Sequence, residues 1–395
     1  MKRKNRINEK NNTKLKILFF HNTLPEYRIG WFREMSQKAD MEFVITNEKM
    51  NKRNYGYDID NEWIKGISFT FLSNGVNGFN ELKKIIRVIH KYDFVELPPL
   101  DSFREVVYSA YIVRKCRKSG VKIGYFWEKW EAPKDKQPTK RKIKNLILRI
   151  IPKSIYKYSD IIFATGQKSR QYFVSNGIPK EKIIVIPDTS ETPAYKFEDI
   201  RVKYRIPKEK RIIMFMGRIM PEKGVRYLIE AYGSLSDDIR NNTYLLVAGD
   251  GKELPRCREL VETLHLENVI FVGKVPPLTR GNYFSQCNIF VYPVTYYDGW
   301  VDVWGLTLNE AVQHGKIIIA TDAVGSAYEL IEDGVNGYRV SPENLKELSW
   351  ALETSLLDYE LPYRARQKDK DLMKKFSFCK MTDDYLQGVQ RALSV

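Results

Sequence analysis

Twice along the chain, short runs of β-branched, aromatic and leucine residues alternate with longer amphipathic stretches, and a polar segment separates the two series. In the first half the runs are Leu15 to Phe20, Met41 to Thr46, Phe94 to Leu97, Val121 to Phe126, Asp160 to Ala164 and Lys182 to Ile186. In the second they are Arg211 to Met216, Thr243 to Ala248, Val269 to Val272, Asn288 to Tyr292 and Lys316 to Ala320. Such an alternation predicts parallel sheets wrapped by helices, an α/β architecture of two doubly wound Rossmann-like domains. The separator, Pro187 to Lys210, has three prolines and no sustained apolar run, so an interdomain linker is expected there. A chain of 395 residues is also too long for one ordinary core. The expected domains are 1–190 and 211–378, joined by 191–210. Residues 379–395 read as a closing helix that folds back on the first domain, with Thr382 as N-cap and Tyr385, Leu386, Val389 and Leu393 at helical spacing.

The bulk composition excludes several classes. No apolar run approaches the roughly 18 residues needed to cross a bilayer. The basic start, Met1 to Lys16, is followed by an apolar piece that stops at His21, too short for a signal peptide, so a cytoplasmic location is expected. Four cysteines are scattered without a CxxC pair, which supports neither a zinc site nor a disulfide framework. The net charge of +16 implies an anionic partner: nucleic acid, phospholipid head groups or a phosphorylated substrate.

In doubly wound folds ligands sit beyond the carboxyl ends of the strands. Two segments there carry chemistry. In RIIMFMGRIMPEKG, Arg211 to Gly224, Gly217 lets a ligand approach the backbone, Arg218 can fork onto two phosphate oxygens, and Lys223 supplies a point charge. The alternative is a pair of solvated surface cations. In GWVDVWGLTLNEAVQHGKIIIATDAVG, Gly299 to Gly325, a helix is expected over Leu306 to His314. Gly305, Leu306 and Thr307 are its candidate amide donors to phosphate. Glu310 leans back toward that end and can accept from ribose hydroxyls, unless it is a solvated helix glutamate. Asp302, on the preceding loop, can bond sugar hydroxyls or stabilise an oxocarbenium-like sugar, or simply cap the helix. Asp250 and Asp302 lack the DxD spacing of a divalent-ion site, and the cations and helix end already supply positive charge, so no metal and no cofactor are expected.

GRIMPEKG (Gly217 to Gly224), VAGDG (Val247 to Gly251), FVGKVP (Phe271 to Pro276) and DVWGLTLNEAVQHGKIIIATDAVG (Asp302 to Gly325) together resemble glycosyltransferase family 4, the retaining two-domain GT-B enzymes whose domains face across a cleft. The resemblance covers nearly the whole second domain, and is one of pattern only in the first. It implies that Arg218 and Lys223 hold a donor diphosphate, backbone around Lys274 and Val275 meets the base, and Glu310 binds ribose. It also implies transfer with retention, the leaving phosphate helping to deprotonate the acceptor. The family pattern has two glutamates separated by seven residues; here the first is Asp302. A histidine often follows a late first-domain strand, whereas Trp127 and Glu128 stand there. His21, Arg28 and Glu128 are the acceptor-side candidates, with Arg28 and Gly30 of LPEYRIG in place of the family's glycine-rich loop.

TKRKIKNLILRII, Thr139 to Ile151, places Ile143, Leu146, Ile147, Ile150 and Ile151 on one face and Lys140, Arg141, Lys142, Lys144 and Arg149 around it. This suits either a helix packed on its sheet or one lying on an anionic membrane surface beside a lipid-linked saccharide acceptor. The sequence-level function is therefore a glycosyltransferase that moves a sugar from a nucleotide-sugar to a glycan or lipid-linked acceptor, peripheral to the inner face of the plasma membrane, in bacterial surface polysaccharide synthesis. Three alternatives stay open: a basic polyanion-binding protein, a catalytically dead scaffold, and a GT-B sugar-nucleotide epimerase. Nucleic acid is disfavoured, because the aromatics Tyr296, Tyr297, Trp300 and Trp304 cluster beside the acidic loop, where they suit stacking on sugar or base.

Overall fold

Among the described residues every strand pair is parallel, and the strands fall into two separate sheets. The structure, a computed structural model, describes residues 14–47, 62, 64–100 and 102–394; within helix Thr139–Tyr156 the side chains of residues 144, 147–152 and 154 lie outside the description. The first sheet comprises β1 (Lys16–His21), β2 (Asp40–Ile45), β3 (Phe69–Phe71), β4 (Phe94–Glu96), β5 (Lys122–Trp127), β6 (Ile161–Ala164) and β7 (Ile183–Val185). Its order is β3-β2-β1-β4-β5-β6-β7. The second comprises β8 (Arg211–Met216), β9 (Thr243–Ala248), β10 (Val269–Gly273), β11 (Ile289–Tyr292), β12 (Ile317–Thr321) and β13 (Gly337–Val340), ordered β10-β9-β8-β11-β12-β13. Helices cover both faces of each sheet, which is why the strands read as unbroken apolar runs.

Two short strands escape the sequence pattern. β3 has only three residues, and β13 contains Gly337 and Arg339, so neither shows a sustained apolar run. The closing helix begins at Phe378 rather than at a Thr382 cap. Ser377 takes the capping role, its hydroxyl accepting from the Lys380 N–H at 3.2 Å, while Thr382 is buried inside the helix. Gly30 lies within helix Glu26–Lys38 and not in a ligand loop, and a Cβ there would meet the Phe378 ring at 2.3 Å. It serves helix packing, not ligand approach.

Helices Glu26–Lys38 and Phe378–Ser394 share one face of the first sheet, where Trp31, Phe32 and Tyr385 pack with Phe19, Phe43 and Phe163. The chain thus crosses between the sheets twice, once after β7 and once before Phe378. The crossings are joined to each other: Thr189 Oγ1 donates to the Phe376 carbonyl at 3.1 Å, and the Phe378 N–H donates to Glu191 Oε1 at 3.0 Å. Asp188, Thr189 and Ser190, polar residues of the linker region, are buried between the domains. The rest of that stretch carries helix Ile200–Tyr204, whose N-cap Asp199 accepts from the Arg201 and Val202 N–H groups and whose Ile200 enters the second core.

Tyr385 fastens the returning helix. Its ring lies 4.7 Å from that of Phe163, and its hydroxyl donates at 3.1 Å to Glu96, which is fully buried and pushed well above the ordinary carboxylate range by that burial. Tyr385→Ala is expected to cost about 3–5 kcal/mol through the cavity alone, and Tyr385→Phe about 1–2 kcal/mol, measured by denaturant unfolding.

Candidate active site

Strand order reverses beside the first strand of each sheet, so in the second domain the crevice opens between the carboxyl ends of β8 and β11. β8 runs into Gly217 and Arg218; β11 ends on Tyr292. At this point Lys223 Nζ approaches Asp302 Oδ2 at 2.5 Å and Tyr292 Oη at 2.6 Å, and the Tyr292 hydroxyl donates to the same Asp302 oxygen at 2.7 Å. Lys223 also lies over the rings of Tyr292 and Trp300, at 4.9 and 4.6 Å from their centroids. Burial disfavours a charged Asp302, but Lys223 beside it, with the Tyr292 hydroxyl and the Trp304 N–H, holds its carboxyl below the ordinary range. Such a buried pair is costly to break, because removing either partner strands the other charge, at about 3–5 kcal/mol.

The two cations of the GRIMPEKG segment are therefore placed differently. Lys223 is buried on Asp302, while Arg218 is exposed at the end of β8. Lys223 donates to the Tyr292 hydroxyl, which burial and Asp302 push far up while Thr307 and Arg218 oppose them. Gly305 takes a left-handed φ of 84° with Val324 and Tyr292 packed where a side chain would go, so the loop can turn into helix Thr307–Gln313 only at a glycine. Leu306 and Thr307 begin that helix, where the first N–H groups have no intrahelical acceptor.

Glu310 is 4% exposed. Its Oε1 accepts from Arg280 Nη1 at 2.8 Å, and its Oε2 is buried without a hydrogen-bond partner. Burial raises the carboxyl and Arg280 opposes that rise. Lys274 and Val275 follow β10 on the far side of β9, where Lys274 is exposed with its Nζ 3.9 Å from Asp250 Oδ2.

On the first-domain side the three predicted polar residues gather, but not as open ligands. Arg28 is 1% exposed and grips Asp188 with both amino groups, at 2.6 and 2.9 Å, while also donating to Glu128. It joins the first helix to the interdomain crossing instead of replacing a glycine-rich loop. His21 is buried, its Nδ1 is 2.7 Å from the Thr23 carbonyl oxygen, and burial together with Arg28 pushes its pKa down to about 3. A neutral ring follows. Glu128 keeps a third of its side chain exposed, and Asp302 is one of the charges acting on it, so it stands on the cleft side. Trp130 reaches across as well, its Nε1 donating to the Asp302 carbonyl at 3.3 Å.

Of the aromatic cluster read from sequence, Tyr297 alone is largely exposed; Trp304 is core, Trp300 lies under Lys223, and Tyr296 donates to the Asp322 carbonyl. Tyr292, Arg280, Glu26 and Asp188 were missed. Tyr292 had a readable signal, as the last residue of a strand beside the reversal of order, whereas the others are joined to their partners only by the tertiary fold. Among the described residues no group of three or more His, Cys, Asp or Glu side chains is placed to hold a metal ion.

Residues 196–371 match the family model described as glycosyl transferases group 1. Curated relatives include an uncharacterised glycosyltransferase of Methanocaldococcus jannaschii, 27% identical over 44% of this chain and 43% of the relative. Another is the alpha-D-kanosaminyltransferase of Streptomyces kanamyceticus, 28% identical over 52% of this chain and 51% of the relative. A third is the lipopolysaccharide 1,2-N-acetylglucosaminetransferase of Salmonella typhimurium, 21% identical over 52% and 56%. The chain spans about half the length of the curated relatives it matches. Among solved structures, Anabaena HepE in complex with UDP aligns with a TM-score of 0.74 at 16% identity, covering 95% of this chain and 100% of that one. The fold is thus the GT-B arrangement.

Burial pushes the Glu128 carboxyl up to about 8, with Arg28 opposing and Asp188 and Asp302 adding. A carboxyl raised in the folded state contributes stability that is complete below its unfolded value of about 4.3 and is lost as pH rises through the folded value. Between about pH 5 and 8 the melting temperature of the native protein should therefore drop relative to that of the Glu128→Gln variant, as read by scanning calorimetry.

Proposed function

We propose that this chain, whose residues 196–371 match the glycosyl transferases group 1 model, transfers a sugar from a nucleotide-sugar to a glycan or lipid-linked saccharide, with retention of configuration and without a metal. The observation that carries this reading is the cluster Lys223, Asp302 and Tyr292 at the point where strand order reverses, together with a buried Glu310 oxygen that has no partner. Arg218, exposed at the end of β8, meets the diphosphate. Lys223 adds fixed positive charge as the phosphate leaves, the moment at which such charge lowers the barrier. The N–H groups at Gly305 to Thr307 meet the same charge, and the unpartnered Glu310 oxygen accepts from a ribose hydroxyl. Asp302, held ionised by Lys223, is the carboxylate nearest the donor sugar, and the leaving phosphate takes the acceptor proton.

The acceptor side is built by the first domain around Glu128. Relatives that act on lipopolysaccharide, such as the Salmonella enzyme, support a saccharide acceptor in surface polysaccharide synthesis. Helix Thr139–Tyr156 exposes Ile143 and Leu146 at 57% and 58%, next to exposed Lys140 and Lys142. That combination suits the surface of an anionic membrane, with each nearby cation contributing roughly 1 kcal/mol. Arg141 is half-buried with its Nε on the Asp298 carbonyl. The side chains of Lys144, Ile147, Arg149, Ile150 and Ile151 lie outside the described residues. No helix of the described residues is long and apolar enough to cross a membrane.

Thermal-shift screening against UDP, GDP, ADP and their sugars is expected to reveal one stabilising nucleotide, and Arg218→Ala or Glu310→Ala to abolish that shift. An unchanged shift in both variants refutes the donor site, and transfer against epimerisation is then read from products of the stabilising sugar. Flotation with vesicles containing anionic lipid should carry the protein upward, and Ile143→Ser with Leu146→Ser should lower the bound fraction several-fold; absence of binding at low salt rejects the membrane reading.

A further inference from the structure

The two oxygens of Glu310 have different surroundings. Oε1 is engaged by Arg280 at 2.8 Å, while Oε2 is buried and without a partner. Arg280, the first residue of helix Arg280–Gln286, is three-quarters buried and turns its other amino group toward Glu26 Oε2 at 3.5 Å. Glu26 belongs to the first turn of helix Glu26–Lys38, across the cleft in the other domain. One guanidinium therefore stands between a carboxylate of each domain. A buried carboxylate with no cation beside it takes up a proton, and the neutral acid is a poorer acceptor for hydroxyls.

We propose that Arg280 is a positioning residue of the donor site: it occupies one oxygen of Glu310, opposes protonation of the group, and leaves the second oxygen for a hydroxyl of the nucleotide's ribose, while Glu26 sets how much of its charge Glu310 receives. This deepens, and rests on, the reading of Glu310 as a donor ligand. Burial raises the Glu310 carboxyl above its ordinary range, Arg280 opposes that rise and Glu26 adds to it. The other charged groups near helix Thr307–Gln313 lie elsewhere. His314 and Lys316 follow its carboxyl end, Arg366 packs against Gly315, and Glu329 accepts from the Gln167 N–H at 2.6 Å.

Removing Arg280 and removing the Glu26 charge should shift Glu310 in opposite directions, which a purely structural role for Arg280 would not produce. The experiment measures affinity for the stabilising nucleoside diphosphate by calorimetry from pH 5 to 9, on the full chain. The nucleotide's own titration is common to all variants. Arg280→Ala should weaken binding about tenfold near neutral pH and move the acid-side midpoint up by about one unit or more. Arg280→Lys should recover most of the loss, and Glu26→Gln should move the midpoint down. An unmoved midpoint in Arg280→Ala, or an upward one in Glu26→Gln, overturns the proposal; should Arg280→Ala fail to fold, Arg280→Lys and Glu26→Gln decide it by the same criterion. Glu310→Ala separates the two levels. Wild-type affinity in that variant refutes the donor reading itself, whereas lost binding there with an unmoved Arg280→Ala midpoint refutes only the role of Arg280.

Discussion

The ion pair between Lys223 and Asp302 is the interaction around which the cleft is organised. It is buried, it is completed by the Tyr292 hydroxyl, and its partners arrive from three separate strand ends or loops. In water such a pair would contribute little. Here each charge depends on the other, so the loop carrying Asp302 and the turn carrying Lys223 are locked in one arrangement. The same loop reaches the first domain, where Val301 joins that domain's core and Trp130 donates to the Asp302 carbonyl. A local charge pair thereby sets the register of the whole cleft.

Polar contacts across the cleft follow a common plan. Asp188, Thr189 and Ser190 run between the domains fully buried, and each finds a partner: Arg28, the Phe376 carbonyl and the Leu306 carbonyl. Gln313 accepts from the Thr192 N–H at 2.7 Å, and Arg280 spans Glu26 and Glu310. A linker that is polar in composition is therefore not a solvated tether. Its polar groups are satisfied at the interface, which makes the relative placement of the domains specific.

Legibility in the sequence followed the range of the interactions. β8 and β9 were readable to the residue because their apolar runs are continuous and end at glycine or a polar pair, whereas β3 and β13 were invisible because three or four residues beside a neighbouring strand need no pattern of their own. Thr382 looked like a cap because a polar residue precedes an apolar stripe. The helix starts earlier because Phe378 and Met381 are already needed against the first domain. Arg28 and Glu128 were singled out separately as ligands, and the way Arg28 holds both Glu128 and Asp188 could not be seen from positions 100 and 160 residues apart.

By itself the sequence determined the α/β class, the two sheets, the positions of most strand ends and the chemical types gathered there: cations after β8, a glycine-led helix, and two carboxylates. These depend on local periodicity, turn chemistry and spacing, which are written along the chain. Only the tertiary structure decided which charge faces which. Lys223 belongs to Asp302 rather than beside Arg218, Glu310 shares itself with Arg280, and Arg28 is buried in a crossing instead of lining a pocket. The reason is that burial fixes the energy of a charge, and burial is a property of the packed domains and their interface, not of any one segment.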